Sequence, residues 1–347
     1  MRSQIVNSRV LVAVAVCLVS SIGCSSTTSR SDGTPLKLLT LKTQESLRRV
    51  AASVVGVGAI YDYSVEVFNY EIVGKAFMRD KTSPTGYRLV HGLRAITISD
   101  TSIDVHGSGL IVYHDERRAV ILSSHHLLSA SDTINTFYRD SIGKSTDVLY
   151  SRATKTKSTY YVNDQNERMK AAEVLRTDAR SDLGLVLTET SLPIGSAFPY
   201  SVAYEKELDW GDVVFVFGFP RQVKQLTLGI VSPSPYPGNF VIDAVTRFGY
   251  SGGPILVVQP DGSLQLAGIM RAMAADEVRF VAPPPDALSG SYLEKEDMAQ
   301  LRTDHIHLIE YGTVYGIDAE RIGGFLSESK NVLAKKGIAL TEKMLPR

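Results

Sequence analysis

Cysteine is almost missing from this chain. Its 347 residues include two, Cys17 and Cys24, and none follows. Disulfides, thiol catalysis and thiolate metal sites are therefore excluded from the folded part. A net charge is missing as well: 37 basic and 37 acidic side chains cancel. No global field then favours nucleic acid, and no nucleic-acid partner is expected. No apolar run approaches the ~20 residues that a membrane-spanning helix needs. No tandem repeat is visible. What remains, 44% hydrophobic and 21% charged, can build an ordinary core, in one large domain or two small ones.

The N-terminus reads as a targeting segment. Arg2 and Arg9 flank an apolar run, Val10 to Val19, of signal-peptide length. It leads into Ser21-Ile22-Gly23-Cys24, which resembles the lipobox of bacterial lipoproteins, with Ser21 where leucine is usual. The resemblance implies cleavage before Cys24, acylation of that residue and anchoring to a membrane. Ser25 lacks the aspartate associated with inner-membrane retention, so a periplasm-facing place at the outer membrane is expected. Residues 1–23 are thus read as a lipoprotein signal peptide and 24–36 as a polar tether. The folded domain is expected over 37–347.

From there the chain reads as short strands. A helix is expected over Thr43 to Ala52, with Thr43 as N-cap. Then come Ser53–Gly58, Gly107–Val112, Ala119–Leu128, Leu183–Leu187, Val213–Phe217, Leu226–Ser232, Asn239–Asp243, Pro254–Val258 and Leu264–Met270. Weaker strands are expected at Thr133–Tyr138, Ser145–Arg152, Ser158–Val162 and Lys170–Leu175. Most are five to eight residues long with turn chemistry between them, which argues for an antiparallel barrel or sandwich. Residues 61–105 and 275–305 read as insertions, the second interrupted by Pro283-Pro284-Pro285. A strand at Tyr311–Ile317 and a helix over Ala319–Ala334 close the chain.

Three features carry chemistry. Ser251 lies in Gly249-Tyr250-Ser251-Gly252-Gly253-Pro254; His125-His126 follows an apolar strand; Asp178 and Asp182 precede another. A serine hydroxyl needs a neighbouring base to become a nucleophile. Histidine supplies it, and a carboxylate fixes the histidine tautomer. The glycine-rich turn can offer the N–H groups of Gly249 and Ser251 as an oxyanion hole.

The order of these segments resembles the trypsin-like (chymotrypsin-fold) serine peptidases, nearest to the HtrA/Deg type. GSGLIV resembles the GSG-hydrophobic strand of that family, and ILSSHHLL its histidine segment, which registers the catalytic histidine on His126. Lys170–Leu175 with Asp182-Leu183-Gly184-Leu185 resembles the acid segment and implies Asp182 as the acid. Gly218-Phe219-Pro220, Thr227-Leu228-Gly229-Ile230-Val231-Ser232 and Gly268-Ile269 occupy their family places. GYSGGP matches the nucleophile segment except at Tyr250, where the family has Asp or Asn. The resemblance implies an all-β double antiparallel barrel, a His126/Asp182/Ser251 triad, protein or peptide substrates and no cofactor. No PDZ-like segment is read after the barrel.

By the same resemblance the primary specificity pocket lies around Val245 and Thr246, walled by Arg271 and Met273. Val245 supplies no counter-charge, so a small or medium apolar side chain is expected there. The string Gly249-x-Ser251-x-Gly253 also fits the nucleophile elbow of α/β-hydrolases. That fold requires a helix after the serine, whereas Ile255–Val258 is a strand. A catalytically silent peptidase fold used for binding is the competing reading. His305 and His307 sit two apart, but no third ligand accompanies them, and no metal is expected.

Overall fold

Successive side chains of a strand face opposite sides, so an uninterrupted apolar strand must be covered on both faces. The architecture supplies both covers. The computed structural model describes residues 40–74, 76–90, 96–140, 144–163, 169–189, 195–204, 208–234, 236–282 and 302–346. The targeting segment, Cys24 and the tether lie outside the described residues.

Helix α1 (Leu41–Ala51) leads into β1 (Val54–Val67). A small hairpin, β2 (Ile72–Val73) and β3 (Ala76–Phe77), separates it from β4 (Ile96–His114). Next come β5 (Arg118–Ser124), the single-turn α2 (His125–Leu128), β6 (Thr133–Arg139), β7 (Ser145–Asn163), β8 (Met169–Asp178) and β9 (Leu183–Glu189). Strands β1, β4, β5, β9, β8 and β7 pair in that order and close through β1 with β7, with β6 flanking β7. The second barrel is built from β10 (Val213–Gly218), β11 (Gln225–Pro233), β12 (Asn239–Ala244), β13 (Pro254–Val258), β14 (Leu264–Ala282) and β15 (Arg302–Asp318). It closes in the order β10-β11-β12-β15-β14-β13. The chain ends in α3 (Ala319–Lys335) and a short C-terminal turn. The expected double barrel is the fold.

Alternation divides the core. In β5, Ala119 and Ile121 fill the first barrel, while Val120 and Leu122 join the layer between the barrels. In β10, Val214 and Val216 fill the second barrel, while Phe215 and Phe217 meet that same layer. These strands therefore read as continuous apolar runs.

The two helices cross over. Residue α1 Thr43 donates to Gly262 O at 3.2 Å and Lys42 pairs with Asp261 at 2.6 Å, both on the β13–β14 turn of the second barrel. Helix α3 returns from β15 to the first barrel. Arg176 of β8 pairs with Glu328 and lies over the Phe325 ring, and Lys336 pairs with Glu173 of β8 at 2.8 Å. Ile322, Phe325, Leu326 and Leu333 of α3 enter the layer between the barrels.

Several sequence expectations change. The α1 cap is Thr40, whose hydroxyl accepts the Thr43 N–H at 3.0 Å. Thr43 itself lies inside the helix, and its side chain is turned to the core. The two segments at 145–163 form one strand, β7, because its first half pairs with β6 and the outer part of β1. The stretch 61–105 is in large part an extension of core strands: Tyr61–Val67 and Ile96–Ile103 pair with each other beyond the barrel. Between them, Phe68, Tyr70, Tyr87 and Leu89 build a separate small core against Val148 and Leu149. Likewise Ala275–Ala282 and Arg302–Ile309 continue β14 and β15 as a paired hairpin. The proline run and the helix-permissive piece beyond Ala282 fall outside the described residues, as do the side chains of His305 and His307.

Candidate active site

The β5–α2 junction, the start of β9 and the β12–β13 connection meet where the barrels face each other. His126 opens toward solvent from α2, its side chain 43% exposed. Its Nδ1 lies 2.9 Å from Asp182 Oδ2 and 3.1 Å from Oδ1, and its main-chain N–H donates to Oδ1 at 3.0 Å. A carboxylate can only accept, so Nδ1 carries a proton and donates it to Asp182.

Asp182 is buried and held in a left-handed conformation, φ 54°. Its carbonyl accepts the His125 N–H at 3.0 Å. Asp178 is engaged elsewhere. It accepts from Ser181 Oγ at 2.6 Å and from the Arg180 and Ser181 N–H groups, which folds the turn that delivers Asp182. Those bonds hold the Asp178 carboxyl below its usual range, the Ser181 hydroxyl first among the causes. His125 points away from this chemistry: it is half-buried, and its Nδ1 has no partner among the described residues.

Ser251 comes from the second barrel. Its Oγ has one hydrogen bond among the described residues, to Arg271 O at 3.4 Å. The turn around it depends on glycine. Gly252 has φ +81°, and a Cβ there would stand 2.2 Å from Ser108 O. Gly249 has φ +104°, a conformation that side chains resist. Among the described residues, neither the Gly249 N–H nor the Ser251 N–H is used within the fold. Both remain for a ligand.

Tyr250 is a core residue. It is 2% exposed and packs with Val216, Ile255 and Met270 inside the second barrel. Burial raises its phenol pKa above the ordinary value.

The four residues expected around the primary pocket take different settings. Val245 is 69% exposed, so Thr246, buried and with no partner for its Oγ1 among the described residues, is the interior member of that pair. Met273 packs against the interior of the second barrel. Arg271 reaches the opposite barrel, where its Nε lies 3.6 Å from Asp182 Oδ2. Register shifts in β14 on either side of Ala272 and Met273 redirect these side chains. The sequence announces neither the Arg271–Asp182 contact nor the bond from the buried Ser108 hydroxyl to Gly249 O. The only signal for Ser108 was a small polar residue inside the glycine pair Gly107 and Gly109. No cluster of His, Cys, Asp or Glu able to hold a metal occurs among the described residues.

Residues 107–264 match the family model described as trypsin-like peptidase domain. No curated protein sequence matches the chain. Among solved structures, the chain is similar to the HtrA-type protease AlgW with a decapeptide, at 16% identity and a TM-score of 0.44. That alignment covers 84% of this chain and 67% of the other.

Proposed function

We propose, from the match of residues 107–264 to the trypsin-like peptidase domain, that the chain is a serine endopeptidase using Ser251, His126 and Asp182. The observation that carries the proposal is the Asp182–His126 pair, 2.9 Å across Nδ1. It leaves a basic Nε2 at the junction where the second barrel presents Ser251.

In this reading, Ser251 Oγ leaves Arg271 O and turns to His126 Nε2. It attacks the scissile carbonyl while its proton passes to Nε2, giving a tetrahedral oxyanion. The Gly249 and Ser251 N–H groups receive that charge. Collapse expels the amine, which takes the proton back from His126, and leaves an acyl-serine. Water, deprotonated in turn by Nε2, hydrolyses the acyl-serine and restores Ser251. The substrate is an extended protein or peptide segment. The preferred side chain before the scissile bond is small or medium and apolar, because Val245, Thr246 and Met273 offer no acidic partner.

A fluorophosphonate probe tests the chemistry. Labelling of wild type and none of Ser251→Ala is expected, and the residue 35–347 segment should digest a peptide library. A clear preference for Lys or Arg before the cut would sink the pocket assignment. The one observation favouring a catalytically silent binding module is the Ser251 hydroxyl bonded to Arg271 O. Absence of labelling on well-folded wild type would select that reading.

The compartment belongs to the same proposal. Cleavage before Cys24 and its acylation would tether the domain to the outer membrane, facing the periplasm. Incorporation of labelled palmitate that is lost in Cys24→Ser tests it; equal incorporation in both proteins would refute it.

A further inference from the structure

We propose that Ser108 is a positioning residue for the oxyanion turn, clamping the carbonyls of both residues whose N–H groups would receive the oxyanion. This rests on the peptidase reading above and adds a residue that carries none of its chemistry.

Ser108 lies in β4 of the first barrel and is fully buried. Its hydroxyl donates to Gly249 O at 2.6 Å and accepts the Phe219 N–H at 2.8 Å. Its main-chain N–H donates to Ser251 O at 2.7 Å. One residue thus grips Gly249 through its side chain and Ser251 through its backbone. Its own carbonyl is held by Ser123 Oγ at 2.6 Å, so the clamp is braced from β5.

The chemistry requires such a brace. At a glycine with φ +104° no side chain restricts rotation. The direction of the Gly249 carbonyl fixes one of its two dihedrals. If that carbonyl turns, the oxyanion donors lose their convergence. Among the described residues the Tyr250 N–H reaches only Arg247 O, at 3.2 Å, and cannot do this alone. Phe219 N–H touches Gly249 O directly, but at 3.2 Å. The Ser108 hydroxyl is the shorter contact, and it is buried, where a hydrogen bond is directionally strict.

Ser108→Ala removes the hydroxyl and leaves the backbone bond to Ser251 intact. A misplaced donor costs around 10²-fold in rate, so kcat should fall about ten- to a hundredfold while KM stays within about threefold. Ser108→Thr, which keeps the hydroxyl, should recover most of the loss. Should the added methyl of threonine unfold the protein, Ser108→Cys, close to isosteric with a weak donor, should give an intermediate kcat. A kcat for Ser108→Ala close to that of wild type, or a loss confined to KM, overturns the proposal. If wild type neither cleaves nor takes the probe, the peptidase reading fails separately. The clamp is then decided by the backbone amide NMR shifts of Tyr250 and Ser251. Displacement of both in Ser108→Ala supports it, and unmoved resonances refute it.

Discussion

The ring of Tyr250 fills the space left by Gly218, which has no side chain. A Cβ on Gly218 would stand 2.4 Å from the ring. The turn that carries Ser251 is therefore seated by packing. Gly218→Ala should overpack the site and destabilise the fold by about 1–3 kcal/mol, read as a lower urea midpoint. Tyr250→Phe should be nearly silent. Tyr250→Asp should unfold the second barrel by placing an unpaired carboxylate in its interior. Wild-type stability in Tyr250→Asp would contradict this view of the turn.

Asp182 holds a left-handed backbone, which Asp and Asn tolerate better than other side chains. Asp182→Asn should therefore fold normally yet lose about 10³–10⁴-fold in kcat, because the amide no longer holds the histidine tautomer. Asp182→Ala should lose thermal stability as well as activity. Equal melting temperatures for the two variants would show that the backbone conformation carries no strain.

Arg271 competes with His126 for one carboxylate oxygen, Asp182 Oδ2, at 3.6 Å against 2.9 Å. Its side chain is 40% exposed, so the pair is worth at most about 1 kcal/mol and is screened by salt. Arg271→Met should raise kcat/KM by a few-fold at low salt and show a smaller advantage at high salt. A fall in activity on this substitution would mean that Arg271 assists the reaction.

Lys224 gives a pH signature. Its Nζ donates to Ala51 O at the end of α1 and lies 5.6 Å from the centre of the Phe219 ring. Burial nevertheless pushes the ammonium from 10.5 down to about 8. Below pH 8 both folded and unfolded chains are protonated, and the cost of burying the charge counts in full. Between about pH 8 and 10.5 the unfolded chain binds the extra proton, so stability rises with pH from this group. Wild type should gain stability relative to Lys224→Met across that window, followed by urea melts at pH 7, 8 and 10. A pH-independent difference would remove Lys224 from the account.

The barrels were legible because strands buried on both faces leave unbroken apolar runs, as in Val213–Gly218 and Leu183–Glu189. Their long arms were not. Beyond Tyr61, β1 alternates apolar with polar residues, a pattern that announces a strand but not that it continues a strand of the barrel. The His126–Asp182 contact could be expected from motif order, since each residue sits beside its own apolar strand. Ser108 could not: its partner Gly249 is 141 positions away, and a serine at the start of an apolar strand carries no mark of what it will bond. Arg271 was placed at the pocket wall by resemblance, but its reach to the other barrel depends on strand irregularities that composition does not announce.

The crossed helices set an order of assembly. The first helix rests on the second barrel, and the last helix closes over the first. A ribosome or secretion channel delivers the chain from its N-terminus, so the first barrel emerges long before residues 319–335 that cover it. His126 and Asp182 then wait, without their opposite wall, until almost the whole polypeptide has been released. On the proposed peptidase reading, a chain put together this way stays inert until its second barrel has folded against the first.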